Sequence, residues 1–379
     1  MNVIVNNLKN MGYKRIVSYT ILALCFVVSI FFVHHNYAFY ERPIAEVIKI
    51  KLEDTTEMTD IHNNKDHLFT QHIVAKLKNG EEKGQLIHLT NEYSSSGAYD
   101  QKYDVGNELF VLIDQNTEES AVLTGTIKDV KRDTNVLIIA WVFIFTLLIV
   151  GKKQGLFSII SLAVNGILLS YALDVYLNTS HIGLLLVCSI SAILFTVISL
   201  LLVNGFNGKT YAAILATLLG TFISLLITFV VMWLTSENGL RYEEMQFLTR
   251  PPQTVFMAGI LVGSLGAVMD VAITMSSSIF GLYEQNNSIS IKDLKASGLD
   301  IGKDIMGAMT NILFFAYISG SIPMLILYFK NASPLGYTLS MNLSLELARA
   351  LSGGIGIVLT IPIGLYISIF FVKRKRAKA

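Results

Sequence analysis

Charge is what this chain has least of. Only 15% of its 379 residues are Asp, Glu, Lys or Arg, against roughly 25% in an ordinary soluble protein. The deficit is uneven. Residues 39–134 hold 29 of the 57 charged side chains, so that segment is about 30% charged and the remainder about 10%. Ten per cent is too little to solvate a globular surface and points to lipid as the solvent. A soluble cytosolic enzyme is excluded. Cysteine is nearly absent too: Cys25 and Cys188 both lie inside apolar runs and read as core residues, which excludes a secreted disulfide scaffold. The formal net charge of +1 carries no nucleic-acid signal. HExxH, GxSxG, P-loop and paired-carboxylate arrangements are all missing, so catalysis is not expected.

What is present is long apolar runs. A helix needs ~20 mostly apolar residues to cross ~30 Å of hydrocarbon. Eight segments qualify: 16–38, 135–151, 155–177, 181–204, 209–235, 254–283, 304–329 and 351–372. None alternates as a barrel strand would, so the spans are helical. With the N-terminus inside, the cytoplasmic pieces carry 14 Lys and Arg against 4 in the short outside loops. That bias predicts both termini in the cytoplasm, a basic KRKRAKA tail inside, and residues 39–134 outside. The first span reads as an uncleaved signal anchor. Its apolar run, 16–33, exceeds the ~7–15 residues of a signal peptide, and Asn36 stands where a cleavage site wants a small residue. The fold class is therefore an α-helical polytopic membrane protein with a small extracytoplasmic domain. Its three parts are 1–38 (N-terminus and anchor), 39–134 (outside domain) and 135–379 (seven-helix region).

The outside domain switches to period two. EVIKIKLE (46–53) alternates, and residues 71–90 are two alternating runs about Asn79-Gly80, a hairpin signal. Segments 103–114 and 121–130 bring the count to about five strands, which predicts a small closed barrel, OB-like in type. Residues 59–70 and the SSSG tract at 94–97 read as loops. His34, His35, His62, His67, His72 and His88 cluster in or beside this domain. The spacing of His62, His67 and His72 puts them on different faces, so no metal site is expected. No basic stripe with interleaved aromatics is present, so nucleic acid is not an expected partner; no cofactor is expected either.

The most informative segment is 254–329. Asp270 sits 16 residues from the outer end of its span and 13 from the inner end. A charge there costs at least ~2.5–3.5 kcal/mol, so intramembrane acids usually face a bundle interior or water. Gly259, Gly263, Gly266 and Ala267 form a small-residue ridge before it, suited to close helix packing. Thr274, Ser277 and Ser278 continue its face. In the next span Asp304 lies at the inner edge, with Thr310 and Asn311 about two turns deeper. By helix rise Asn311 is ~10 Å and Asp270 ~15–20 Å from the inner surface, within reach of one another through one water. The linking stretch 288–304 reads as a short amphipathic helix on the inner membrane surface. Gly353, Gly354, Gly356 and Pro362 mark close packing or a kink in the last span. An intramembrane protease built on Asp270 and Asp304 is disfavoured because their depths differ by at least two turns.

These stretches, GILVGSLGAVMDVAITMSSSI (259–279) and SGLDIGKDIMGAMTNILFFAYISGSIPMLI (297–326), resemble the YibE/F family of bacterial membrane proteins. The plan of anchor, outside domain and seven spans agrees over essentially the whole chain, and the soluble domain resembles the YibE-type member. The resemblance implies a bacterial cell-membrane location and a YibF-type membrane partner, with a homo-oligomer as the alternative; it implies no known activity. A weaker similarity, over about 110 residues, is to the C-terminal half of SecD/SecF and RND-type proton-driven proteins, although Ile312 and Leu313 follow Asn311 where SecD-like members have Thr-Thr. Two functions follow as expectations. One is a proton- or ion-coupled transport or export component with Asp270 as a buried titrating carboxylate and Asn311, Thr274, Ser277 and Asp304 along its path. The other is a non-transporting scaffold whose outside domain binds a partner or envelope ligand.

Overall fold

The computed structural model describes residues 13–61, 63–97, 100–114, 123–179, 182–245 and 249–377. His62, Lys9 and Lys378 lie outside the described residues. Two compact units divide the chain, residues 1–146 and 147–379. The first unit holds the barrel and its flanking helical segments, and the second holds the remaining helices.

The first unit opens with α1 (Tyr13–His35) and a short 3-10 turn (Asn36–Phe39). Five strands follow: β1 (Ile44–Thr59), β2 (Lys65–Leu77), β3 (Leu86–Ser94), β4 (Glu108–Ile113) and β5 (Leu123–Val130). They close into a barrel in the order β1-β2-β3-β5-β4. Pairing is antiparallel except between β3 and β5. The alternation read in the sequence places Val47, Ile73, Ala75, Ile87, Leu89, Leu109 and Val111 inside. Gln71, buried among them, bonds Tyr103 on both sides: its amide donates to the Tyr103 carbonyl at 2.9 Å and its oxygen accepts from the Tyr103 N–H at 3.1 Å. Gly125 lets β5 approach β4, since a Cβ there would lie 2.5 Å from the Leu112 carbonyl oxygen.

Two local expectations need correction. Residues 65–70 are strand, not loop, because β1 and β2 run on as one long hairpin. The β2–β3 connection spans 78–85 instead of a two-residue turn at Asn79-Gly80. Gly80 does take the positive φ of +84°, but Asn79 turns inward. Its amide donates to the carbonyls of Tyr37, Tyr40 and Arg42 at 3.0–3.1 Å, and its oxygen accepts from the Ile44 N–H at 2.6 Å. One side chain thereby ties the chain entering the barrel to the barrel's own loop.

Helix α2 (Asp133–Asn178) leaves the barrel; it runs 46 residues and breaks at Lys152, whose φ is 47°. That break coincides with the turn expected between the second and third spans. The start of α2 packs on α1 through Trp141, which stands edge-on to Phe26 and donates to Ser29 Oγ at 2.8 Å.

The second unit contains α3 (Leu184–Asn204), α4 (Gly208–Leu234), α5 (Pro252–Gln285), α6 (Ile291–Ser319), α7 (Ile322–Lys330) and α8 (Ser344–Arg376). Helices α4, α5, α6 and α8 are packed through glycines. A Cβ on Gly220 would collide with Thr360, on Gly302 with Ile361, and on Gly353 with Leu313; on Gly356 it would sit 3.1 Å from Val268. Small residues let backbones approach where no solvent-driven force holds helices together. Among the described residues six helices are long and apolar enough to cross a membrane, and α6 with α7 makes a seventh candidate bent by 62°. The expected surface helix at 288–304 is not separate. Ser290 caps a single helix that runs from Ile291 to Ser319, because Leu294, Gly298 and Gly302 are buried against α8 and the end of α5.

Candidate functional site

Helix α5 buries one face: Ile260, Leu261, Ser264, Leu265, Val268, Val271, Ala272 and Met275 point into the bundle. Asp270 is not on it. Its side chain is exposed at the surface of the chain and makes no hydrogen bond or ion pair with any described residue. Among the described residues no Asp or Glu is buried. The expectation of a carboxylate buried within this chain is therefore corrected. The physical reason is helical phase: the interior of the bundle is taken by the apolar and hydroxyl positions one step around the helix.

Gly259, Gly263 and Gly266 share the exposed face with Asp270, and Thr274 and Ser277 continue it half-buried. Nothing lies within 4 Å of a Cβ built on Gly259 or Gly266. Gly263 alone is approached, by the Tyr317 hydroxyl of α6, which is buried with no described partner. The ridge read as helix packing is thus largely unused inside this chain, whereas Gly353 and Gly356 do pack within it.

The contacts also fix relative depth. Ile279 and Leu365 flank Gly298, while Ser264 and Leu313 flank Gly353. Helices α5 and α6 are antiparallel, and the level of Asp270 falls near Gly307 on α6. Asp304 is then about three to six residues, or roughly 5–9 Å, from that level at 1.5 Å per residue, the wider value following from the Gly263–Tyr317 contact. Asp304 is exposed and, like Asp270, unpaired among the described residues. Asn311 lies about a turn to the other side. It lines a groove of about 520 Å³ between α6 and α8, with Thr310, Phe314, Leu351 and Gly354. No hydrogen bond joins Asp270 to Asn311.

The polar groups that do meet inside the bundle were not singled out from the sequence. Ser224 of α4 donates to the Ser352 carbonyl at 2.6 Å, and Thr228 bonds the Ser352 hydroxyl. Ser368 donates to Ser276 at 3.1 Å. Thr217, Thr221, Ser224 and Thr228 stand at helical spacing on the buried face of α4, and that spacing was the available signal. Most of these hydroxyls satisfy themselves on the preceding helical turn or on the neighbouring helix, which is the behaviour of interhelical packing.

In the first unit a charge cluster centred on Lys131 forms that no sequence motif announces. Lys131, just past β5, has a side chain only 2% exposed. Its Nζ lies 3.0 Å from the Glu108 carboxylate and 3.5 Å from that of Asp133, and donates to the Val33 carbonyl at 2.9 Å. Tyr37 donates to Glu108, and Tyr40 and Asn36 donate to Asp133 at 2.5 and 3.0 Å. This network joins the end of α1, the barrel and the start of α2. Of the described histidines, His72 pairs with Glu53 at 2.6 Å on the barrel exterior, and among the described residues no group of three metal-binding side chains forms.

The chain combines a small closed barrel with several long apolar helices packed through glycines, a combination that suggests a membrane protein. Residues 139–374 match the YibE/F-like protein family, and residues 38–130 match the YibE/F family N-terminal domain. The chain belongs to the YibE/F-like family. No curated protein and no solved structure matches it; the parallel with SecD/SecF and RND-type regions rests on the order of residues alone.

Proposed function

We propose that this protein is a proton- or ion-coupled transport or export component of the bacterial cell membrane, working through the exposed face of α5. The observation that carries this reading is Asp270, an unpaired carboxylate halfway along an apolar helix and outside its own bundle. Facing hydrocarbon, it would cost at least ~2.5–3.5 kcal/mol. A second membrane chain laid on the Gly259–Gly263–Gly266 ridge would enclose it, either a YibF-type partner or another copy of this protein. Thr274 and Ser277 would then line a hydrated path at that interface, with Asp270 as the titrating group. Asn311 and Asp304 belong to this proposal only as flanking polar groups on α6. On this reading both termini are cytoplasmic and the barrel lies outside, as the 14-to-4 bias of Lys and Arg supports.

No catalytic role is proposed. Asp270 and Asp304 do not bond one another, and neither is paired with a base among the described residues. The scaffold reading is favoured by a different observation, the Lys131 network that fixes the barrel to its flanking helices. The two readings part on Asp270→Asn. Coupled transport predicts loss of pH-driven substrate movement in vesicles with the protein still assembled; a scaffold predicts unchanged activity.

A further inference from the structure

The four cations at the end of α8 are not equivalent. Arg376 is structural: its guanidinium donates to the carbonyls of Asn287 and Ile289 and lies over the Tyr283 ring, clamping the α5–α6 turn. Lys375 pairs with Glu284 at 3.2 Å. Arg374 has no acidic partner among the described residues, and neither does Lys209 at the start of α4. These two, with Lys375, converge on a cleft of about 650 Å³ between α4, α5 and α8.

The walls of this cleft are aromatic: Tyr211, Phe280 and Phe371. Gly208 packs closely on the Phe280 ring, which a Cβ there would meet at 3.3 Å. The backbone N–H groups of Gly208 and Lys209, in the first turn of the 27-residue helix α4, have no acceptor among the described residues. The Asn207 side chain is already occupied, accepting from Thr210 and donating to the Asn204 carbonyl. Three cations and two free amides therefore face one carboxylate, that of Glu284. Helices α5 and α8 end beside the start of α4, so the cleft lies at the ends of three membrane-length helices. That is the level at which lipid headgroups sit against a spanning bundle.

We infer that this cleft is a binding site for the phosphate of an anionic phospholipid. Arg374 and Lys209 neutralise the phosphate, the free amides of α4 accept it as any helix N-terminus does an anion, and the aromatic walls receive the glycerol and upper acyl region. Against the cleft's net charge of +2, a monoanionic headgroup leaves one cation uncompensated, whereas a zwitterionic headgroup of no net charge leaves two. This inference does not depend on Asp270 or on transport.

The test is native mass spectrometry of the delipidated full-length protein in detergent, titrated with phosphatidylglycerol, with phosphatidylcholine, or with phosphatidylglycerol plus millimolar inorganic phosphate. The expected result is preferential retention of phosphatidylglycerol, an about thirtyfold affinity loss in Lys209→Gln/Arg374→Gln at ~1 kcal/mol per cation, and little change in the charge-matched Lys373→Gln/Lys330→Gln. Lys209→Arg/Arg374→Lys should restore retention, which separates lost binding from lost folding. Equal retention of both lipids, an equal loss in the control variant, or displacement of the lipid by inorganic phosphate would overturn the assignment.

Discussion

Lys131 and Glu108 stand 3.0 Å apart with the lysine side chain 2% exposed, at the point where the chain leaves the barrel for α2. Removing the cation leaves Glu108 and Asp133 without their counter-charge, held only by the hydrogen bonds from Tyr37, Tyr40 and Asn36. Lys131→Ala should destabilise the first unit by about 2–3 kcal/mol, the cost of breaking a buried pair reduced for the partial exposure of its two acids. Lys51→Ala, whose pair with Glu53 is exposed, should have no measurable effect. Thermal unfolding of the two variants in detergent checks the contrast.

Asn79→Gly separates two readings of one residue. As a turn former Asn79 would tolerate glycine. As the donor to three carbonyls and acceptor from Ile44, it cannot be replaced without orphaning buried groups. We expect about 2–4 kcal/mol of destabilisation and faster proteolysis between α1 and β1. A stability equal to wild type would restore the simple-turn reading.

Asp133 accepts the Tyr40 hydroxyl at 2.5 Å and holds that phenol above its ordinary value. The folded value is raised, so the stabilisation is complete below the unfolded value near 10 and is lost as pH rises through the folded one. Wild type should lose stability above about pH 10 more steeply than Tyr40→Phe, which starts lower and lacks the titrating group. Parallel unfolding curves across that range would contradict this.

The glycines divide into two groups with opposite consequences. Gly220→Val and Gly353→Val should fail to give monodisperse protein, because a Cβ at either position collides with a neighbouring helix. Gly266→Val should fold and unfold like wild type, since nothing stands within 4 Å, yet lose co-purifying partner or dimer. Size-exclusion chromatography with mass determination distinguishes the outcomes.

The apolar runs and period-two segments were enough to anticipate a helical bundle and a five-stranded barrel, because those patterns are local. The path of 288–304 was not legible: its six charges read as a surface helix, and only the packing of Gly298 and Gly302 against α8 shows why it continues into the bundle. Asp270 illustrates the same limit at the candidate site. Helical spacing correctly put Gly259, Gly263, Gly266 and Asp270 on one face. Spacing alone cannot say whether that face meets the same chain or another, and the structure turns it outward. Lys131 was invisible because its partners lie 23 and 2 residues away on different elements, and no local motif announces them.

The central claim is that Asp270 acts at a covered face of α5. The most direct measurement is pH-gradient-driven transport in vesicles holding the protein, alone and with the proposed YibF-type partner, comparing wild type, Asp270→Glu and Asp270→Asn at equal assembly. The account predicts transport in wild type, reduced but measurable transport in Asp270→Glu, and none in Asp270→Asn. Full transport in Asp270→Asn would contradict it.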